Sequence, residues 1–249
     1  MRDLDQALAR AYAGGATAAR TAATPPAPHF AIDPAARPVD ASILGWPETV
    51  LALERSHGDR FEALADSLLA TLDAKRSKIL YFTSCHRAEG RTTLVLTLAR
   101  ALARRPGRTL LVDGDLGGPM LARSLGLRPR VGLGEVVEDG QAVSAALVVA
   151  PDDNLTILPL VAPAARPREF LASEAWSSLM GRLRREFDLV LIDGGPLFTG
   201  LSASALPRAI DAAVLVRHAS RTPERAVLRA RDVLDAGGIP LLGLAETFS

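Results

Sequence analysis

Short segments made almost wholly of aliphatic residues recur along this chain: "KILYFTS", "RTLLVDGD", "NLTILPL", "DLVLIDGG", "DAAVLVRHA" and "IPLLGLAET". A strand that shows Val, Ile and Leu to both of its sides must be covered on both. Between these segments lie stretches with helical spacing of apolar residues: "TTLVLTLARALARR", "PMLARSLGL", "EAWSSLMGRLRREF", a short "ALPRAI" and "TPERAVLRARDVLDAGG". The alternation predicts an α/β fold, a parallel sheet with helices on both faces. Thr222-Pro223-Glu224 reads as an N-cap, a first-turn proline and an acidic first turn, and Gly237-Gly238 as the close of that helix.

The N-terminal part differs. "MRDLDQALARAYAGG" places Leu4, Leu8, Ala11 and Tyr12 on one helical face and has no continuous apolar core of a secretory signal. Residues 13–42 are rich in Ala, Thr and Pro, too poor in large apolar groups to offset the entropy of ordering them. Residues 1–45 therefore read as a disordered or partly helical arm, and 46–249 as one α/β domain. From Pro47, "PETVLALERSHGDRFEALADSLLATLDAKR" carries Val50, Leu51, Leu53, Phe61, Leu64, Leu68 and Leu72 at helical spacing, with Gly58 expected to divide two helices. There is no internal repeat.

Bulk properties remove several classes of function. The 249 residues carry a formal net charge of +1, which gives no basis for a nucleic-acid partner. The single cysteine, Cys85, rules out an internal disulfide and suits a reducing cytoplasm. No apolar run approaches the ~18 residues of a membrane-spanning helix. His29, His57 and His218 show no metal spacing.

Ligands of open parallel sheets sit at the carboxyl ends of the strands, and three loops lie there. In the first, "SCHRAEGRTT", Gly90 stands where a phosphate loop has its last glycine and Thr92 where it has its metal-binding hydroxyl, followed by Thr93. Cys85 and Arg91 stand where such a loop has its first glycine and its lysine, so alone the stretch reads as an ordinary strand-to-helix turn. The second, "LLVDGDLGGP", puts Asp113 and Asp115 at a strand's mouth. The third, "FDLVLIDGGP", ends an apolar strand in Asp193, the pattern of a strand whose carboxylate reaches Mg²⁺ through water. Each carboxylate also has a plainer reading, as a helix cap or turn former.

In this order and spacing the three loops resemble those of the bacterial tyrosine autokinases of capsule and exopolysaccharide synthesis. That family belongs to the deviant-Walker P-loop ATPases, alongside the cell-division and chromosome-partition ATPases. The likeness runs roughly from Phe61 to the C-terminus. "VGLGEVVEDG", "NLTILPLVAPAARPREFLAS" and "FDLVLIDGGPL" resemble further segments of that family. The resemblance implies a P-loop NTPase sheet, ATP and Mg²⁺ as cofactors, Glu89, Gly90, Arg91, Thr92 and Thr93 against the nucleotide, and Thr92, Asp113 and Asp193 at the metal. Asp113 and Asp115 would be the catalytic pair in an active member. It also implies a membrane chain-length or export protein as partner.

The departures from the family fall where chemistry is done. Its loop usually reads Pro-Gly-Glu-Gly-Lys; here it reads Arg87-Ala88-Glu89-Gly90-Arg91. Ala88 gives up glycine's freedom at positive φ. Arg91 keeps the charge, but guanidinium is broad and planar where ammonium is compact. Gly117 replaces an arginine. The positions of the self-association motif hold Asp59, Glu62 and Ala65, so a ring of the family type is not expected. The only tyrosines are Tyr12 and Tyr81, the latter expected in the core, so the tyrosine tail is absent. Glu246 and Thr247 replace an asparagine expected near adenine.

Among the remaining candidates, adjacent Cys85 and His86 could form a nucleophile pair only if both faced one site. Arg182, Arg184 and Arg185 read as a solvated helix end or an acidic-partner docking face, and Trp176 and Phe187 as packing residues of that helix. The reading that takes in all these losses is a cytoplasmic regulatory component of polysaccharide synthesis or export, binding nucleotide weakly or not at all and reaching the membrane through its partner. The rival is an active Mg²⁺–ATP-dependent kinase or ATPase in which Arg87 or Arg91 serves the phosphates. A third is a partition-type positioning ATPase.

Overall fold

The computed structural model describes residues 39–40, 44–198 and 209–248. Residues 1–38 and 41–43 of the N-terminal arm and 205–208 of the "ALPRAI" helix fall outside that range; within it, Val39–Asp40 of the arm form a short strand, and Ala209 and Ile210 are not helical. Eight strands form one sheet. In chain order they are β1 (Val39–Asp40), β2 (Ile79–Ser84), β3 (Thr109–Gly114), β4 (Val148–Ala150), β5 (Leu155–Leu158), β6 (Leu189–Pro196), β7 (Ala212–His218) and β8 (Leu241–Thr247). Their spatial order is β1-β4-β5-β3-β6-β2-β7-β8.

From β5 across to β8 every pairing is parallel. At the other edge β4 runs antiparallel to β5 and carries β1 parallel to itself. The sheet is therefore mixed and mostly parallel. The reversal has a local cause: β4 and β5 are joined only by the tight turn Pro151–Asp153 and by Asn154, which takes up φ 50°. So short a connection can link only antiparallel neighbours.

Alternate residues of the central strands feed two cores. Ile79, Tyr81, Leu110, Val112, Val190 and Ile192 face one side, where Trp176, Met180, Leu183 and Phe187 of helix Glu174–Glu186 cover them. Leu80, Phe82, Leu111, Leu189 and Leu191 face the other, under Val95, Leu98, Ala99 and Leu102 of helix Arg91–Ala103. Both sides of β2 and β6 are buried throughout, which is why these strands carry no polar alternation.

Outside the second core lies one long helix, Glu48–Lys75. It is broken at His57, with φ −137° and ψ 19°, so two helices meet at a kink one residue before the glycine expected to divide them. The Ser56 hydroxyl bonds back to Ala52 O and contacts His57 Nδ1, a local competition of the kind that bends helices. Of the positions matching the self-association motif, Glu62 pairs with Arg104 and Arg105, Ala65 is fully buried, and only Asp59 faces solvent.

The helix near the C-terminus spans Glu224–Ala236 and ends through Gly238 at φ 70°. Its expected hydroxyl cap is used elsewhere. Thr222 gives its proton to Glu89, its oxygen accepts from the His218 N–H, and the helix begins on Pro223 without a side-chain cap. At the end of helix Glu174–Glu186, Arg184 forks onto both oxygens of Asp211, and Arg182 pairs with Glu186. Only Arg185 of that trio is fully solvated. The Asp211 carboxyl also accepts from the Lys78 and Ile79 amides, and despite burial these bonds hold its pKa below the usual range.

Candidate functional site

The fold brings the three acidic or glycine-rich loops together. β3, β6 and β2 are adjacent, and Asp113 and Asp193 are direct register partners on β3 and β6. Beside them β2 runs out at Ser84 into the loop Cys85–Gly90, which turns into helix Arg91–Ala103. The turn needs two residues in the left-handed region, Ala88 at φ 59° and Gly90 at φ 78°. Alanine therefore adopts the conformation the family leaves to glycine, at a cost of about 1–2 kcal/mol in backbone strain.

Arg91, at the first turn of that helix, folds back into the site and is 8% exposed. Its Nε donates to Asp193 Oδ1 at 2.8 Å, one terminal nitrogen to Asp115 Oδ2 at 3.1 Å, and the other to Ser84 Oγ at 3.1 Å. Thr92 donates its hydroxyl to Asp193 Oδ2 at 2.7 Å. Arg87 reaches Asp115 from the solvent side, at 3.1 and 3.4 Å. It can do so because Gly117 and Gly118 leave a flat floor: a Cβ on Gly118 would lie 2.7 Å from the Arg87 guanidinium. Gly195 likewise admits the Asp115 carboxylate, and Gly194 admits the buried Tyr81 ring.

Asp113 is used as a cap. It is fully buried, and its Oδ2 accepts the amides of Met120 and Leu121 at 3.0 and 2.9 Å, fixing the start of the short helix Leu121–Ser124. Burial first, then the neighbouring Asp193 charge, pushes its pKa up to about 7. Burial also raises the Asp193 pKa, opposed by Arg91 and Thr92. For Arg91 burial works downward, but the charge and hydrogen bond of Asp193, with Asp115, carry its pKa above the ordinary value. Two guanidiniums thus face three carboxyls, one of which titrates near neutrality, and the cluster balances its charge from its own side chains.

Glu89 is turned away from this cluster. Its carboxylate takes the His86 amide at 3.0 Å and the Thr222 hydroxyl, while its carbonyl accepts the Thr247 hydroxyl at 2.7 Å. Thr93 contributes a carbonyl to the Thr97 hydroxyl. Thr247 and Phe248 lie against Gly90, and the Phe248 ring stacks on His218 at 4.5 Å. The Cys85–His86 pair does not form a reactive couple. Cys85 is fully buried and its thiol pushed up to about 12 by burial and by Glu89, while the His86 ring packs edge-on against Phe198. Tyr81 is core, as expected.

Both oxygens of each of Asp113, Asp115 and Asp193 accept hydrogen bonds from protein donors. Among the described residues no cluster of three His, Cys, Asp or Glu side chains could hold a metal ion. In this arrangement the residues do not fit Mg²⁺–ATP: Arg91 and the Thr92 hydroxyl take both oxygens of Asp193, and Asp113 is committed to the Met120 and Leu121 amides. Sequence reasoning did not point to Gly118 or Thr222 as parts of the site. The glycine pairs that follow Asp115 and Asp193 were the available signal, since paired glycines mark close approach of other groups.

A mostly parallel sheet whose central strand opens into a phosphate-loop turn, flanked by strands ending in aspartate, defines a P-loop NTPase fold, and the structural neighbours of the chain are P-loop NTPases. No protein-family model matches the chain. The tyrosine-protein kinase CpsD of Streptococcus pneumoniae is 27% identical over 174 residues, 70% of this chain and 77% of CpsD. The succinoglycan biosynthesis transport protein ExoP of Rhizobium meliloti is 32% identical over 173 residues, 68% of this chain and 21% of ExoP. The crystal structure of the VpsO kinase domain superposes with a TM-score of 0.68 at 26% identity, covering 79% of this chain and 99% of that one. The homologues of this chain are thus the bacterial tyrosine-protein kinases of capsule and exopolysaccharide synthesis.

Proposed function

We propose that this chain is a regulatory component of polysaccharide synthesis or export, descended from a tyrosine kinase, whose own arginine has replaced the metal and nucleotide of its ancestral site. The observation that carries the reading is Arg91, buried and bonded to Asp193, Asp115 and Ser84 at once. A buried cation with such partners is costly to extract, because each carboxylate it leaves is stranded without charge compensation. Mg²⁺–ATP would have to displace it and then re-form contacts to the same carboxylates.

The role left to such a protein is recognition. ExoP, with which this chain aligns over 21% of its length, is a transport protein. By that analogy the partner here is a membrane chain-length or export component, and this chain reaches the membrane through it. No helix among the described residues is long and apolar enough to cross a membrane.

The test is titration with Mg²⁺–ATP and Mg²⁺–ADP, following heat and Tm. The proposal expects no heat and no shift at millimolar nucleotide, whereas ligand at ~100 times its Kd would add about 2.7 kcal/mol. A shift abolished by Asp193→Ala would restore the active-enzyme reading and overturn this one. Nucleotide-dependent dimerisation in light scattering would point instead to a positioning ATPase.

A further inference from the structure

Next to the helix that Asp113 caps lies a groove of about 500 Å³. Pro119, Leu127, Pro129 and Val161 give it apolar walls, and Arg123 and Arg128 line it with charge. Val161 is 41% exposed, and Met120, next in chain to Pro119, is 43% exposed, so the apolar surface runs on past the groove. Neither Arg123 nor Arg128 has an ion-pair partner among the described residues, and both are exposed. The sequence explains why: from Leu116 to Gly134 the chain holds Arg123, Arg128 and Arg130 and no acidic residue. Elsewhere the molecule pairs its arginines freely, as Arg100, Arg104, Arg105, Arg184 and Arg217 show.

We infer that this groove docks an acidic peptide segment bearing apolar side chains, supplied by a partner protein. Unpaired guanidiniums on a groove otherwise lined by Pro, Leu and Val call for carboxylates flanking apolar groups, and complementary charge selects such a partner and speeds its arrival. A free inorganic anion would use the arginines and leave Met120 and Val161 in water. The inference deepens the regulatory reading, on which it rests for there being a partner. The arginines read as either a solvated helix end or an acidic-partner face, Arg182, Arg184 and Arg185, are largely spent on Asp211 and Glu186. The groove is also tied to the ancestral site: Asp113 caps the helix Leu121–Ser124 that supplies Arg123.

The experiment uses the full chain and a fluorescein-labelled peptide of alternating glutamate and leucine, read by fluorescence anisotropy. The glutamate-only peptide, the lysine–leucine peptide, inorganic phosphate and vesicles of anionic phospholipid are run beside it. Saturable binding by the glutamate–leucine peptide is expected, weakened roughly ten-fold or more by Arg123→Glu with Arg128→Glu, the loss expected when attraction at two rim charges becomes repulsion. Arg185→Glu should leave it unchanged. Arg123, Arg128 and Arg185 are solvent-exposed, so the variants are expected to fold, with Tm as the check. An equal loss in Arg185→Glu, equal binding of the glutamate-only peptide, binding of vesicles alone, or no binding would each overturn the inference. A nucleotide-induced Tm shift with peptide binding intact would overturn the regulatory reading and leave the groove standing.

Discussion

The Nε of Arg91 sits 2.8 Å from Oδ1 of Asp193, at the place in the loop where a phosphate lysine would point outward to a ligand. Arginine is suited to this inward role. Its fork satisfies Asp193, Asp115 and Ser84 together, which a single ammonium does less well. Removing it should therefore hurt the fold more than an exposed arginine would. Arg91→Ala is expected to cost about 3–5 kcal/mol, the usual penalty for breaking a buried pair from one side. Urea denaturation measures it, and a loss below about 1 kcal/mol would show that the carboxylates do not depend on Arg91. Mg²⁺ should recover part of the Tm in the variant and none in the parent.

Asp113 gives the protein a pH signature. Its pKa rises from 3.8 to about 7 on folding, so between those values the folded chain holds a proton the unfolded chain has released. The stabilisation is complete below 3.8, declines as pH rises, and is gone above about 7. Over that window it amounts to something on the order of 4 kcal/mol. Asp113→Asn keeps an oxygen for the Met120 and Leu121 amides and carries no charge. The stability advantage of the variant over the parent should therefore grow from pH 4 to pH 7 and then level off. A difference that is flat with pH would mean that Asp113 ionises normally.

Ala88 holds φ 59° where glycine would be unstrained. Ala88→Gly should raise stability by about 0.5–1 kcal/mol, the relieved strain less the added freedom of the unfolded chain. Nucleotide affinity should not change, because Arg91 remains in place. If Ala88→Gly alone conferred ATP binding in calorimetry, the loop and not the arginine would be what closes the site.

Tyr81 and Gly194 test the packing beneath the cluster. A Cβ on Gly194 would fall 2.1 Å from the Tyr81 ring. Gly194→Ala should cost about 3 kcal/mol, at the upper end of overpacking penalties. Adding Tyr81→Ala should recover part of that loss, and the non-additivity is read from a double-mutant cycle. Simple additivity would mean that the two residues do not meet.

Much of this architecture was readable from residues. "KILYFTS", "DLVLIDGG" and their kin became β2, β6 and the other long strands because a two-sided apolar strand has few places to go. Asp113 and Asp193 were legible as residues at the carboxyl ends of their strands, and the structure makes them register partners on β3 and β6. What escaped was governed by contacts distant in sequence or by very short elements. β4 has three residues, below the length at which periodicity says anything, and its direction is set by the Pro151–Asp153 turn. Thr222 carries every local mark of a helix cap, yet Glu89, distant in the chain, takes its hydroxyl. Spacing placed Arg91 at the loop, but which way a long side chain swings depends on what the two neighbouring loops present to it.

Glu89 has a consequence of its own. Through side chain and carbonyl it joins the loop to Thr222 at the start of the crossover from β7 and to Thr247 on the last strand. A loop riveted at such distant points cannot open by itself. It must carry the C-terminal edge of the sheet with it, so the His86 amide, held by the Glu89 carboxylate, should exchange with solvent far more slowly than that of exposed Ala88. Those two bonds make the loop part of the frame of the sheet.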